Sequence, residues 1–434
     1  MKNLRYYIFW AFDFLKGSPI RKHYNEIADV FYDRPSSKNI KERRLSDILR
    51  YAIANTSFYG HFDSKDLKSF PVITKQDIVA NMDTIFSTEF YGQKDSLRIM
   101  ATSGSTGTPL KMFQNGDKVR RSHADLLFFY KIGGYQIGDR LYSLRIWNNL
   151  NRKSKSAQIK ENFRMFDTAD VDTEGAQAFV DTMLKDRNTK VILAYASSFN
   201  GLMQHIKPSN IQWNMKAIFT GSELLLPETK KKMLETFGCP VMSRYCNQEN
   251  GMLAQQPVSG EDYFQLNEAS YHFEFLKLES DEEASEGETA RIVITDLFNK
   301  AIPVIRYDTG DIGEYAFTST GKRILTNLVG RKTDFLKTSS GKVLSPHVVT
   351  NLMWEFDNIR QFQFIQESLT VFTLKIAYLD ASNHASDIDR LTKRLNSIFG
   401  EDITVEIIKT DNIPLEISGK RKYIISRLNQ DVVR

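Results

Sequence analysis

Short, nearly continuous apolar runs alternate with helical patterns through the first three quarters of the chain. Residues 191–195 (Val-Ile-Leu-Ala-Tyr) and 216–220 (Lys-Ala-Ile-Phe-Thr) have the length and texture of strands buried on both faces. Ser197-Ser198 follows just after the first and Gly221-Ser222 directly after the second, so each strand is expected to end in a turn that opens a helix. That alternation predicts α/β layering with ligand-binding loops at the strand ends. Residues 291–295 read as a further strand, and the acidic stretch 279–287 before it as solvated loop.

From about residue 335 the pattern changes. Residues 370–379 and 403–408 read as strands, and 386–399 as an amphipathic helix with Ile388, Leu391, Leu395 and Ile398 on one face. The sequence therefore divides into a large α/β domain of layered subdomains over 1–333 and a smaller α+β domain over 334–434, with the boundary inside 330–337.

Composition narrows the class without naming it. The 434 residues carry 58 Lys+Arg against 53 Asp+Glu, a surplus of +5 with no concentrated basic stretch, which argues against a nucleic-acid partner. A chain with 41% hydrophobic and 12% aromatic residues is not disordered. Cys239 and Cys246 alone make neither a disulfide-rich scaffold nor a four-ligand zinc site, and they fit a reducing cytosol. The apolar run 6–12, broken by Asp13, is too short to span a bilayer. It is expected to be an amphipathic helix packed on the protein, the alternative being a helix on the inner face of the membrane. A cytoplasmic protein with no transmembrane segment is the expectation.

The residues richest in chemistry lie in 101–111. Thr102, Ser103, Gly104, Ser105, Thr106 and Gly107 are all glycine or hydroxyl residues, a composition that can wrap phosphate oxygens in N–H groups and hydroxyls. Gly-Lys-Ser/Thr is absent and strand-like residues flank the loop on both sides, so it is not a Walker P-loop. A Ser/Gly hairpin turn is the plain alternative. Further along, Arg306-Tyr-Asp-Thr-Gly-Asp-Ile-Gly313 reads as a tight Gly turn with a carboxylate placed to accept from ribose hydroxyls. Tyr245-Cys-Asn-Gln-Glu249 offers an aromatic for a base and a carboxylate for Mg²⁺. Gly330-Arg331 with Asp334 and Lys337, and Ile417-Ser-Gly-Lys-Arg421, complete the set. Each of the segments after the loop is, alone, at least as readily an ordinary turn or a solvated charge.

Taken in order, the five elements resemble the adenylate-forming superfamily of acyl-CoA synthetases, luciferases and adenylation domains. The resemblance is closest to its phenylacetate–coenzyme A ligase and capsular-polysaccharide branch, and Thr-Gly-Thr-Pro-Leu-Lys in the loop and residues 15–21 (Leu-Lys-Gly-Ser-Pro-Ile-Arg) look like that branch. It covers nearly the whole chain. It implies that residues 102–107 grip the ATP phosphates, that Gly221, Ser222 and Glu223 lie beside the adenine, and that Tyr245 stacks on it. It places Mg²⁺ on Glu249, the ribose on Asp311, a nucleotide contact on Arg331, the domain hinge at Asp334 and the mobile catalytic lysine at Lys420. Cys246 and Gln248 depart from the family's usual Tyr-Gly-x-Thr-Glu. Some members of the branch carry zinc on a cysteine cluster; two cysteines do not support that, and no zinc is expected.

The implied activity is AMP-forming ligation of a small carboxylic acid, with ATP and Mg²⁺, to a thiol, most simply coenzyme A. One alternative passes the acyl group to an amine, amino sugar or carrier protein during surface-polysaccharide assembly. Another, of a different class, is a catalytically silent scaffold subunit. The acid is not legible. Phe128, Phe129, Tyr130, Tyr135 and Trp147 have helical spacing that suits core better than pocket, and Arg145 is a candidate to hold a second anionic group on the substrate. The oligomeric state is not legible beyond the option of a homodimer.

Overall fold

The computed structural model describes residues 3–63, 66–101, 110–145, 147, 152–168, 173–203, 206, 211–221, 223, 225, 227–331, 335–344, 347–353, 355–356, 358–379, 385–414 and 422–428. Helices open the chain. α1 (Leu4–Leu15) is capped by the Asn3 side chain, which accepts from the Tyr6 N–H. α2 (Pro19–Phe31) starts on proline, and the Asp13 carboxylate of α1 accepts from the N–H groups of Ile20 and Arg21 at 3.0 and 2.9 Å. One helix thus caps the next. α3 (Ser37–Asn55) follows, then the short α4 (Lys75–Ala80), begun by a Thr74/Asp77 capping box, and α5 (Met82–Ile85).

β1 (Arg98–Ala101) and β2 (Lys111–Gln114) are the expected flanking strands, and they pair antiparallel with Ala101 opposite Lys111. α6 (Gly116–Ile132) follows, with Lys118, Arg121, Ala124, Asp125, Phe128 and Phe129 all buried. Strands and helices alternate from there: β3 (Arg140–Arg145), α7 (Lys155–Glu161), β4 (Phe163–Asp167), α8 (Thr173–Lys185), β5 (Lys190–Ala194), α9 (Ala196–Met203), β6 (Met215–Gly221), α10 (Pro227–Phe237) and β7 (Val241–Asn247). β3 to β7 pair in parallel in the order β4-β3-β5-β6-β7. Ile192, Ile218 and Val241 pack against Phe179, Phe199, Trp213 and Phe237 to form the core of this layer. α9 opens directly after β5 as expected, whereas α10 begins only at Pro227, six residues after β6 ends at Gly221.

An antiparallel half continues the same sheet with β8 (Gly251–Gln255), β9 (Phe264–Leu266), β10 (Tyr271–Leu276), β11 (Ala290–Asp296), β12 (Tyr307–Phe317) and β13 (Arg323–Arg331), giving the order β10-β11-β12-β13-β9-β8-β7-β6-β5-β3-β4. The Asp-Thr-Gly-Asp segment is not the turn its composition suggests. It lies inside β12, because Ile73 N–H donates to Arg306 O and Asp308 N–H to Ile73 O, holding the chain extended, while Gly310 absorbs a φ of +73° within the strand.

The chain divides into two compact units, one comprising Met1–Thr309 and Glu314–Asn327, the other Gly310–Gly313 and Leu328–Arg434. The second unit holds the hairpin β14 (Leu336–Lys337) with β15 (Val343–Leu344), then α11 (His347–Met353), β16 (Ile359–Gln366), β17 (Val371–Tyr378), α12 (Ala385–Phe399), β18 (Thr404–Lys409) and β19 (Ile424–Ser426). Its sheet runs β18-β17-β16-β19. Phe364, Phe372 and Phe399 meet at centroid distances of 4.8 to 5.6 Å in its core. α12 buries Leu391, Leu395 and Phe399, while Ile388 and Ile398 are only half-buried at the edge of that face.

Candidate nucleotide and acid site

The parallel pairing of these strands ends in register. Leu144 pairs with Ala194, Ala194 with Thr220, and Gly221 with Arg244. The next positions along the carboxyl edge are therefore Arg145, Tyr195, Gly221 and Arg244. The strand order reverses at β3, which has β4 on one side and β5 on the other. Ligands of open α/β sheets bind outside the carboxyl ends at such a reversal, because the connections leave in opposite directions and open a crevice.

Arg145 stands at that reversal. Its guanidinium carbon lies 5.2 Å from the Trp147 ring centroid and 5.5 Å from that of Tyr195, and its Nε is buried without a hydrogen-bond partner. Trp147 is fixed by its indole N–H, which donates to Phe166 O at 3.1 Å. Burial raises the Tyr195 hydroxyl pKa, as does the charge of Glu223, while Arg145 opposes both. Arg145, Tyr195 and Glu223 therefore share one electrostatic neighbourhood. Of the other aromatics, Phe128, Phe129 and Tyr130 are buried core on α6, as their spacing suggests.

On β7, successive side chains find different surroundings. The Arg244 guanidinium sits 3.8 Å from the Tyr130 ring and 4.1 Å from that of Phe219, with Nε donating to Gln255. Tyr245 is buried, and its hydroxyl donates to Thr309 Oγ1 at 3.3 Å, which in turn donates to Ile292 O. Cys246, the departure from the family pattern, packs against Met252 and the apolar cluster of α2 and α6, and burial pushes its thiol up to about 11. It thus occupies a different environment from Tyr245.

Glu249 lies nearly buried in the turn between β7 and β8. The neighbouring Asn250 N–H donates to the Asn247 side chain, and Asn250 O accepts from the Tyr271 hydroxyl. Tyr271 receives a hydrogen bond from Lys118 Nζ at 3.0 Å, and Lys118 is paired with Asp296 at 2.6 Å, both side chains being inaccessible to solvent. Burial, and next the charge of Asp296, hold the Tyr271 hydroxyl well above its ordinary pKa, so it stays a donor. An ion pair in the core therefore pins the turn that carries Glu249. Among the described residues no three His, Cys, Asp or Glu side chains gather as a metal site. One carboxylate plus nucleotide phosphates is nevertheless the usual donor set for Mg²⁺, and Glu249 fits that set.

Arg306 adopts φ +49°, uncommon for a residue with a Cβ, directly before Tyr307 and Asp308. Its guanidinium is clamped by Glu274 at 3.1 Å and Phe70 O at 2.8 Å, which over-determines the conformation. Asp308 is held by Arg291 at 3.0 Å. In the second unit Asp311 faces Arg331, Oδ1 to Nε at 3.5 Å.

Of the residues expected at the site, Thr102 to Gly107, Ser222, Asp334 and Lys420 lie outside the described residues. Gly221 ends β6 and Glu223 lies just beyond it, Tyr245 lies within β7 and Glu249 just beyond it; Asp311 and Arg331 are brought together on β12 and β13. Sequence reasoning gave Arg306 no role within its motif, and missed Arg244 and the Lys118–Asp296 pair. The signal for the last was present: Lys118, Arg121 and Asp125 share the stripe of α6 that also carries Phe128, and charges on an apolar stripe must find partners.

Residues 336–427 match the family model described as the CapK C-terminal domain. The chain is 23% identical over 434 residues to Protein CapK of Staphylococcus aureus, covering 94% of this chain and 93% of that protein. Among solved structures, 2-hydroxyisobutyryl-CoA ligase in the postadenylation state with R3-HIB-AMP superposes with a TM-score of 0.70 at 15% identity, covering 91% of this chain and 90% of that one. ATP-bound MatB from Rhodopseudomonas palustris gives 0.55 at 16% identity over 77% and 67% of the two chains. Anthranilate CoA ligase AuaEII in complex with anthranoyl-AMP gives 0.55 at 14% identity, over 75% and 65%. The chain has the fold of the adenylate-forming CoA ligases.

Proposed function

We propose that this chain is an ATP-dependent, AMP-forming carboxylate ligase that makes an acyl-AMP and passes the acyl group to a thiol, coenzyme A foremost. The observation that carries this reading is an adenylate-forming fold whose parallel pairing ends in one register row, Arg145, Tyr195, Gly221 and Arg244, at the reversal of strand order. Relatives of that fold were solved with acyl-AMP or ATP bound.

A carboxylate oxygen attacks the α-phosphorus, the bond to the β-phosphate oxygen breaks, and pyrophosphate leaves with the electron pair. A thiolate then attacks the acyl carbon and AMP leaves. Two anions must meet in the first step, so positioning and charge stabilisation supply most of the catalysis. Thr102, Ser103, Gly104, Ser105, Thr106 and Gly107 hold the β- and γ-phosphates. Gly221, Ser222, Glu223 and Tyr245 take the adenine, and Asp311 with Arg331 the ribose and its flank. When bound, Mg²⁺ neutralises phosphate charge, with Glu249 as its protein ligand. Lys420, on a C-terminal domain of residues 334–434 that turns about Asp334, stabilises the first step and withdraws for the second. Arg145, caged by Trp147 and Tyr195 with a buried donor to spare, selects acids that carry a second anionic group.

A second reading, favoured by the match of residues 336–427 to the CapK C-terminal domain, keeps the adenylation and changes the acceptor to an amine, amino sugar or carrier protein of surface-polysaccharide assembly. Trapping the acyl-AMP with hydroxylamine separates the two halves of the claim. Hydroxamate without any acceptor supports adenylation, and CoA-dependent AMP formation supports the thiol. Hydroxamate that forms while CoA stays inert favours the second acceptor class, and no hydroxamate with any acid contradicts both.

A further inference from the structure

α1 is apolar on both faces. Phe9, Trp10 and Asp13 turn inward, Trp10 packing against Tyr24 and under the Arg21 guanidinium, 3.9 Å from its ring. The opposite face stays open to solvent: Leu4 and Phe14 are 74% exposed, Leu15 78%, Phe12 61%, Tyr7 58% and Ile8 45%. A helix apolar all round is ordinarily enclosed, so the open face requires a partner. The helix is not loosely attached. Asn3 packs on Gly138, and Arg5 donates to the carbonyls of Ile159 and Lys160 at the end of α7.

Charge identifies the partner. Over residues 1–25 the chain carries Lys2, Arg5, Lys16, Arg21 and Lys22, and its one acid there, Asp13, is buried capping α2. Lys16 and Lys22 line a cleft beside α1 with Arg44 and Arg120. The two carboxylates in that cleft are already engaged, Glu26 by Arg44 and Arg121, Asp117 by His23 and Arg120. The helix therefore presents an apolar face with no exposed acid on it and a cluster of cations at its C-terminal end. A second copy of the chain would bring like charges together across a two-fold contact. A bilayer with anionic headgroups complements both the face and the cations beside it. Twelve residues reach only about 18 Å, short of the roughly 30 Å hydrocarbon layer, so the helix lies in the interface plane.

We propose that the exposed face of α1, with Lys16 and Lys22 beside it, docks the protein on an anionic membrane surface.

The test is co-sedimentation of the full chain with vesicles of phosphatidylcholine, alone or mixed with phosphatidylglycerol, at low and high salt. The native protein is expected to pellet with the mixed vesicles and to be released by salt. Phe12→Glu/Leu15→Glu should cut that binding at least about ten-fold, and Lys16→Glu/Lys22→Glu should abolish the preference for anionic lipid. Both variants alter exposed side chains, and an unchanged melting temperature verifies that they fold. Equal binding to neutral and anionic vesicles, or equal binding by native and variant chains, overturns the proposal. So does a native dimer that Phe12→Glu/Leu15→Glu converts to monomer without any vesicle binding, which would give the face to a second copy.

Discussion

Arg331 lies over Asp311 with Nε 3.5 Å from Oδ1, the arginine side chain 53% exposed and the carboxylate 13%. A pair that open to water adds little to stability, because solvent screens it and a long side chain must be ordered to make it. Its placement is better explained by a nucleotide, which both residues are proposed to contact. Arg331→Ala should leave stability within about 0.5 kcal/mol of the native protein while weakening ATP binding. Asp311→Ala should weaken ATP at least about ten-fold, the loss of a charge-assisted hydrogen-bond acceptor. Unchanged nucleotide affinity in both variants, measured by calorimetry, contradicts the ribose assignment.

Arg145 is the residue on which acid selectivity should turn. Arg145→Leu is expected to raise KM for acids bearing a second anionic group by about ten-fold or more and to leave KM for ATP unchanged. A panel of acids whose ranking does not change in the variant would remove Arg145 from the pocket.

The Lys118–Asp296 pair has no access to solvent, so removing one partner strands the other charge. Lys118→Met should cost about 3–5 kcal/mol in chemical denaturation. The double variant Lys118→Met/Asp296→Leu should recover a large part of that loss, since neither charge is then buried alone. A single-variant cost below about 1 kcal/mol would mean that the pair is not the anchor described.

Stability should also fall in mild acid. Burial, with Arg323, Lys41 and Arg306 outweighing Glu268, holds the His272 imidazole down at about 4. The unfolded chain takes up that proton near pH 6.5, so it binds more protons than the native state between about pH 6.5 and 4. Native stability is therefore full above this window and is lost as pH descends through it, by at most about 3 kcal/mol for this group. His123, lowered by burial in the same direction, adds to the slope. Asp117, held down at about 2 by its hydrogen bond to His23, acts only below that range. His272→Gln should flatten the unfolding free energy between pH 6.5 and 4, and an unchanged slope would refute the assignment.

Much of this arrangement was legible because it is written in short-range pattern. The runs at 191–195 and 216–220 have the length and texture of buried strands, and the register of β1 against β2 brackets the hydroxyl-rich loop as its flanks suggest. What was hidden depends on distant partners. Asp308 to Asp311 has turn composition, yet pairing with Ile73 and the clamp on Arg306 draw it into β12. Lys118 and Arg121 look like surface charges until Asp296 and Glu26, far away in sequence, come to meet them. The row from Arg145 to Arg244 exists only once four strands are in register.

The central claim is tested most directly by carboxylate-dependent pyrophosphate release from Mg-ATP, across aryl, fatty, hydroxy and amino acids, with the Lys420→Ala variant beside the native chain. The account predicts release with at least one acid, and a loss of about a hundred-fold or more in the variant while its transfer step from preformed acyl-AMP continues. Silence across the panel together with absence of ATP binding would contradict it and leave the chain a non-catalytic subunit on an adenylating fold.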